Sequence, residues 1–176
     1  MRAWQSDPGD PRAPITLDHL LQMRDGLDFF EDYEDVERSD AIAMLFGAGM
    51  TDVAAYAEAR PLLAPPGTRF NYSSGTSNVV AAVVGRAVGG DVRGFLRDRL
   101  FAPLGMRSAE ARVDDAGTFV GSSYVYATGR DWARFGTLYL RDGEWDGRRL
   151  LPAGWADHGR RHRSTDQDGS RYGAHW

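Results

Sequence analysis

Apolar residues along this chain recur at helical spacing far more often than they alternate, and Gly, Pro and Asp/Ser/Thr signals separate the runs. The clearest run extends from Ser74 or Thr76 to Val88. There Val79, Val80, Val83, Ala87 and Val88 are spaced for a wide buried face, and Gly89-Gly90 stops it. Upstream, Thr16 caps a short helix in which Leu17, Leu20, Leu21 and Arg24 share a face, with Gly26 as its end. Ser39-Asp40 starts a helix through Met44 and Phe46, stopped near Gly47-Ala48-Gly49, and Thr51-Asp52 starts another through Ala59. Pro61 and Pro65-Pro66-Gly67 then break the chain and set a turn before Tyr72. Asp91 caps a helix whose Val92, Phe95, Leu96 and Leu100 share a face, and Thr128-x-x-Asp131 reads as a capping box before Trp132, Phe135, Leu138 and Tyr139. Strand candidates are few: 69–72, 108–113 and 118–126, with a turn-rich linker or small hairpin at 142–147. Residues 1–14, rich in Pro, Gly and Asp, read as an extended approach, and 15–176 as one helix-rich α+β domain.

Composition narrows the chemistry. The 176 residues and their apolar fraction of 42% suit one domain with a sizeable core. Every one of the 21 Lys/Arg positions is Arg, and Cys is absent, so an amine base, a thiolate, a disulfide and a thiol zinc site are all excluded within this chain. A net charge of -4 implies no general affinity for nucleic acid. No apolar run approaches the ~20 residues that cross a bilayer. Residues 1–8 carry no apolar stretch of signal-peptide type, so the chain as written is expected in the cytosol, while a longer parent is free to be exported.

Candidate chemistry centres on Pro66-Gly67-Thr68-Arg69-Phe70-Asn71-Tyr72-Ser73-Ser74, which puts a tyrosine and a serine on the turn that opens the best-predicted helix. A phenol with a pKa near ~10 is a poor base at neutral pH unless a cation lowers it. Pro-Gly-Thr-x-x-x-Tyr-Ser-Ser followed by an apolar helix resembles the second motif, Tyr-x-Asn or Tyr-x-Ser, of the serine β-lactamase-related family. That family takes in class C β-lactamases, D-alanyl-D-alanine carboxypeptidases, esterases and nylon oligomer hydrolases. Four further segments resemble it in family order: Ile15 to Leu27, Leu100 to Met106, Tyr126 to Gly136 and Leu151 to Trp155. The resemblance implies a β-lactamase/transpeptidase-like fold, in which a helical region packs beside a five-stranded antiparallel sheet with the active site between. The family's Ser-x-x-Lys and Lys/His-Thr/Ser-Gly motifs have no counterpart here. The expectation is therefore an internal piece of a longer hydrolase, helical region intact and sheet incomplete.

By that resemblance Tyr72 is the catalytic proton relay, and Ser74 hydrogen-bonds the substrate amide or the lysine; helix capping is its other reading. Tyr33, in Glu31-Asp32-Tyr33-Glu34-Asp35, matches the acidic loop whose tyrosine closes over substrate in nylon oligomer hydrolases, and equally reads as a solvated acidic surface. Ser73 and Ser77 are assigned to turn and helix surface. Gly121-Ser122-Ser123 resembles a Gly-rich approach to the family pocket, though a simple turn suits it better. His158 and His162 stand four apart, but lack the glutamate of His-Glu-x-x-His and lie among arginines, so no metal is expected. No cofactor fingerprint occurs. The expected function is a β-lactamase-family serine hydrolase that, intact, cleaves a small amide or ester through an acyl-serine. The alternative is a non-catalytic binding module that keeps the helical region. With the sheet incomplete, uncovered helix faces make self-association the expected partner relation, with no nucleic acid and no membrane span.

Overall fold

The computed structural model describes residues 2–166 and 169–176. Its helices run α1 (Arg2–Ser6), α2 (Leu17–Leu21), α3 (Asp40–Phe46), α4 (Val53–Glu58), α5 (Ser74–Ala87), α6 (Val92–Leu96), α7 (Ala102–Leu104), α8 (Gly129–Leu140) and α9 (Trp155–Arg160). A π-helical segment, Arg97–Phe101, joins α6 to α7. Among the described residues the strands form antiparallel pairs: β1 (Glu110–Ala111) with β2 (Val125–Tyr126), β3 (Glu144–Trp145) with β4 (Arg148–Arg149), and β5 (Ser164–Thr165) with β6 (Arg171–Tyr172).

Helix starts fall where side-chain caps were expected. Thr16 Oγ1 accepts from the His19 amide at 3.1 Å, Ser39 Oγ from Ile42 at 3.2 Å, Asp52 from Ala55 at 2.9 Å and Asp91 from Gly94 at 2.8 Å. Each such cap contributes about 0.5–2 kcal/mol. The helices they open span only five to seven residues, too short to persist without packing. The caps thus set boundaries while burial supplies the stability. Thr128 accepts from the Asp131 amide, but the reciprocal half of the expected capping box is missing. Asp131 instead accepts from the Ser108 amide at 2.9 Å and Ser108 Oγ at 2.7 Å, and pairs with Arg134. Ser108 Oγ in turn accepts the Thr128 amide, so a distant loop completes the cap.

Packing changes several of the sequence expectations. Residues 1–14 are not an extended approach: α1 occupies Arg2–Ser6, and Trp4 is 2% exposed within the main core. Its indole N–H donates to Glu58 O at 3.0 Å, and Arg12 stacks over the ring while donating to the same carbonyl. A buried tryptophan removes on the order of 150–250 Å² from water, which outweighs the loop-like composition around it. The buried face of α5 is also different from the valine stripe. It comprises Ser74, Gly75, Thr76, Asn78, Val79 and Ala81, while Val80 and Val83 are half-buried and Ala87 is exposed. Small and polar residues go inside because a Cβ on Gly75 would stand 2.6 Å from the Phe29 ring. Phe95 is exposed although Val92 is buried, and beyond the π-helical segment burial passes to Phe101 and Leu104. Segment 69–72 is not a strand; its backbone bonds to Met23 O, and Asn71 Nδ2 donates to the Leu27 and Phe29 carbonyls.

Two apolar cores result. The larger joins Trp4, Ile15, Leu20, Phe29, Met44 and Val79 beneath α2 to α5; the smaller gathers Phe101, Leu104, Met106 and Leu138 between the α6–α7 region and α8. Inside the first lies Asp25, 3% exposed, accepting from the Leu27 amide at 2.8 Å and from Thr76 Oγ1 at 2.8 Å. Burial pushes its carboxyl above the ordinary value, partly offset by those two bonds. With the folded pKa raised, the carboxylate's share of stability is fully present below the ordinary value and falls as pH rises through the raised one. Thr76→Val takes a donor from this buried carboxylate and is expected to cost about 1–3 kcal/mol. Urea unfolding will measure it, and the deficit should shrink as pH falls through the raised carboxyl value, because the protonated group no longer presents a charge that needs the Thr76 donor.

Candidate active site

The turn that ends at Ser73 delivers Tyr72 and Ser74 to the mouth of α5. Ser73 is the true N-cap, its hydroxyl accepting from the Thr76 amide at 3.0 Å, so the capping role falls one residue before Ser74. Ser74 is 6% exposed and both its polar groups face Glu31: the amide donates to Oε2, and Oγ donates to Oε1 at 2.8 Å. Glu31 therefore places a carboxylate on the positive end of α5, a favourable arrangement for a helix dipole. Tyr33 donates its hydroxyl to the same Glu31 Oε1 at 2.9 Å. The acidic loop is braced from within, because Asp32 accepts the Glu34 and Asp35 amides. Asp40, at the start of α3, accepts the Phe30 amide and fixes the loop's other end.

Tyr33 and Ser74 thus share one carboxylate through hydrogen bonds, and its charge also reaches Tyr72. Tyr72 is 52% exposed, and Tyr33 60%. Partial burial, then the Glu31 charge, push the Tyr72 phenol above its ordinary value. Burial, then the hydrogen bond and charge of Glu31, do the same for Tyr33. Both phenols stay protonated at neutral pH, suited to donating hydrogen bonds and unsuited to acting as a base. A base role for Tyr72 requires a cation strong enough to overcome Glu31. Tyr172 packs edge-on against Tyr72 at 6.1 Å between ring centroids and lies 5.3 Å from Phe70, so β6 supports the exposed phenol from one side.

Other sequence candidates are placed elsewhere. Ser122 exchanges hydrogen bonds with Asn78 on α5 and pairs with Ser123, a turn locked to the helix. His158 stacks on Trp155 within α9, whereas His162 lies beyond the helix end and pairs with Thr165 Oγ1 at 2.9 Å; the two share no ligand geometry. Sequence reasoning named neither Glu31 nor Tyr172 as functional. Glu31 was legible only as one of several acids two residues from Tyr33, and Tyr172 gave no local signal, because its role arises from β6 folding back onto the 70–72 turn. Ser77, expected on the helix surface, holds His175 Nε2 at 3.1 Å, and His175 Nδ1 is 3.2 Å from the Leu21 carbonyl.

A helical region with short antiparallel pairs and a Tyr-x-Ser turn at the head of its central helix defines a β-lactamase/transpeptidase-like fold. Solved structures share it. A protein from Bacillus anthracis assigned as a 6-aminohexanoate-dimer hydrolase superposes with a TM-score of 0.77 at 22% identity, over 96% of this chain and 48% of its own. The octameric penicillin-binding protein homologue from Pyrococcus abyssi gives 0.68 at 17%, over 93% and 43%. A D-stereospecific amidohydrolase from Streptomyces sp. gives 0.65 at 19%, over 93% and 56%. The sequence profile of the Beta-lactamase family matches residues 2–176, and the chain belongs to that family. A D-aminopeptidase from Cereibacter sphaeroides is 30% identical over 111 residues, 59% of this chain and 20% of that protein. The chain spans a fifth of that relative and about half of the solved structures it resembles. No helix among the described residues is long and apolar enough to cross a membrane.

Replacing Glu31 tests the electrostatics directly. In Glu31→Gln the phenols of Tyr72 and Tyr33 lose a neighbouring negative charge, so both titrations move to lower pH. Ultraviolet phenolate absorbance, with Tyr72→Phe and Tyr33→Phe backgrounds to assign each step, reads the shift.

Proposed function

We propose that this chain is the helical part of a serine hydrolase that cleaves a small amide or ester through an acyl-serine intermediate, with Tyr72 as its proton-relaying residue. The observation that supports this reading is the placement of Tyr72 on the turn that opens α5, next to Ser74, which together with Tyr33 donates to Glu31. Tyr33 and Ser74 belong to the substrate side: Tyr33 presents an exposed phenol at the loop surface, and Ser74 ties that loop to the helix. The nucleophilic serine, its lysine and the Lys/His-Thr/Ser-Gly strand belong to parts of the protein outside these residues, and residues 15–176 are the matching partial domain. The lysine supplies the cation that Tyr72 lacks here. The names of two structural neighbours, a 6-aminohexanoate-dimer hydrolase and a D-stereospecific amidohydrolase, support an open-chain amide as substrate.

The purified chain should give no covalent adduct with a fluorescent penicillin and no turnover of chromogenic cephalosporins or short-chain esters, since loss of the nucleophile costs on the order of a millionfold in rate. A longer protein that adds Ser-x-x-Lys and the third motif should hydrolyse. Tyr72→Phe in it should lower kcat by about 10²–10⁴, the worth of a positioned proton-transfer group. Turnover by this chain alone, or an active longer protein indifferent to Tyr72→Phe, overturns the reading.

A binding-module reading is favoured by one observation, the exposed apolar side chains Leu140 at 81%, Phe46 at 65% and Met50 at 55%. Exposed apolar side chains drive association where they form a continuous patch. Sedimentation at rising concentration should show self-association, and Leu140→Lys and Phe46→Lys should reduce it. A monomer at all concentrations rejects the self-association.

A further inference from the structure

Tyr172 reaches the Tyr72 turn from the far end of the chain, and it is fixed on both sides. On one side β6 pairs with β5. Arg163 N donates to Tyr172 O at 2.8 Å, and Ser164, opposite Tyr172 in the register and 7% exposed, donates its hydroxyl to Gln22 O at 3.3 Å. On the other side the 173–176 turn is anchored. Gly173 passes so close to α9 that a Cβ there would collide with Gly159 O, and Ala174 N donates to that carbonyl at 2.8 Å. His175, at a φ of 58°, gives its amide to Leu21 O at 2.9 Å and holds Ser77 Oγ through Nε2 at 3.1 Å. Tyr172 is thereby tied to α2, α5 and α9, and its ring lies 5.3 Å from Phe70 and 6.4 Å from His175. Tyr72 is fixed by much less. It is 52% exposed; among the described residues its hydroxyl has no hydrogen-bond partner, and Tyr172 is the one ring packed on it, at 6.1 Å with planes at 83°. A side chain with so few contacts samples several χ1 wells unless a neighbour excludes them.

We propose that Tyr172 is a positioning residue: its ring, brought back by β6, holds the Tyr72 side chain in one rotamer and so aims the phenol that the hydrolase reading uses as its proton relay. The catalytic consequence rests on that reading; the geometric part does not. Edge-to-face packing is a favoured arrangement of aromatic pairs. Aim matters because a misplacement of about 1 Å costs on the order of 10²-fold in rate. The ring does the positioning, and the hydroxyl is not needed for it. Burial and then the Tyr72 charge hold the Tyr172 phenol above its ordinary value, so Tyr172 stays protonated while Tyr72 ionises. Among the described residues Glu31, Tyr33 and Tyr172 are the titratable groups that face Tyr72.

The test uses the full chain with Tyr172→Phe, which keeps the ring, and Tyr172→Leu, which removes it. Ultraviolet phenolate absorbance, with Tyr72→Phe marking the step to follow, reads the Tyr72 titration. Partial burial is the main cause of its raised value, so Tyr172→Leu should move the step down towards the ordinary value while Tyr172→Phe leaves it in place. Hα–Hβ scalar couplings of Tyr72, measured by nuclear magnetic resonance in the unmodified chain, should report a single χ1 rotamer, and they decide if Tyr172→Leu does not fold. In a longer, hydrolysing protein Tyr172→Leu should lower kcat by about 10-fold to 10²-fold with KM within about twofold, and add less than about twofold on top of Tyr72→Phe. Four outcomes overturn the proposal: rotamer-averaged couplings, a Tyr72 step that Tyr172→Leu leaves unmoved, a step that Tyr172→Phe moves as far, or a Tyr172→Leu loss of kcat that persists undiminished in Tyr72→Phe. An active longer protein indifferent to Tyr72→Phe overturns the hydrolase reading instead, and the titration and couplings then decide the positioning alone.

Discussion

The site depends on how closely the first turn of α5 is pressed against the loop beneath it. Gly75 leaves room for the Phe29 ring, and with any larger side chain the helix mouth would have to lift. That contact sets the 29–35 loop beside Ser73 and Ser74, where Glu31 satisfies the Ser74 amide and hydroxyl together. Behind it, Thr76 and Asp25 hold α5 to the turn after α2, and Asn78 holds it to Ser122. The helix is thus gripped along its polar N-terminal half, and Val80, Val83 and Val84 are left half-buried.

This arrangement explains the electrostatic state of the candidate tyrosine. A carboxylate placed to cap a helix necessarily lies close to whatever side chain precedes that helix. For Tyr72 the consequence is a phenol held protonated. The same Glu31 fixes Tyr33, so loop position and phenol acidity are coupled through one group.

Much of the helical framework was legible locally. Ser39, Asp52, Asp91 and Thr128 each mark a helix start through a hydrogen bond made within four residues, and such bonds are written in the sequence. The Asp146-Gly147 turn of the β3–β4 hairpin follows the same logic, with both residues at positive φ. Elements that failed are those whose reasons lie far along the chain. Trp4 is helical and buried because Glu58 and Arg12 receive it. Asp131 leaves its capping box because Ser108, 23 residues away, offers two donors.

By itself the sequence determined the family, the helix-rich class, the caps at Thr16, Ser39, Asp52, Asp91 and Thr128, and Tyr72, Ser74 and Tyr33 as the candidate residues. These rest on short-range hydrogen bonds, apolar period and motif order, all properties of neighbouring residues. Only the tertiary structure decided that Tyr33 and Ser74 share Glu31, that Tyr172 and His175 return to the first half of the chain, and that α5 buries its small and polar residues with Val79 and leaves Val80 and Val83 half-buried. The reason is that each of these depends on which surfaces come into contact across tens of residues. Hydrophobic pattern ranks a helix face by its apolar content, whereas close packing ranks it by how near the neighbouring backbone and rings can come.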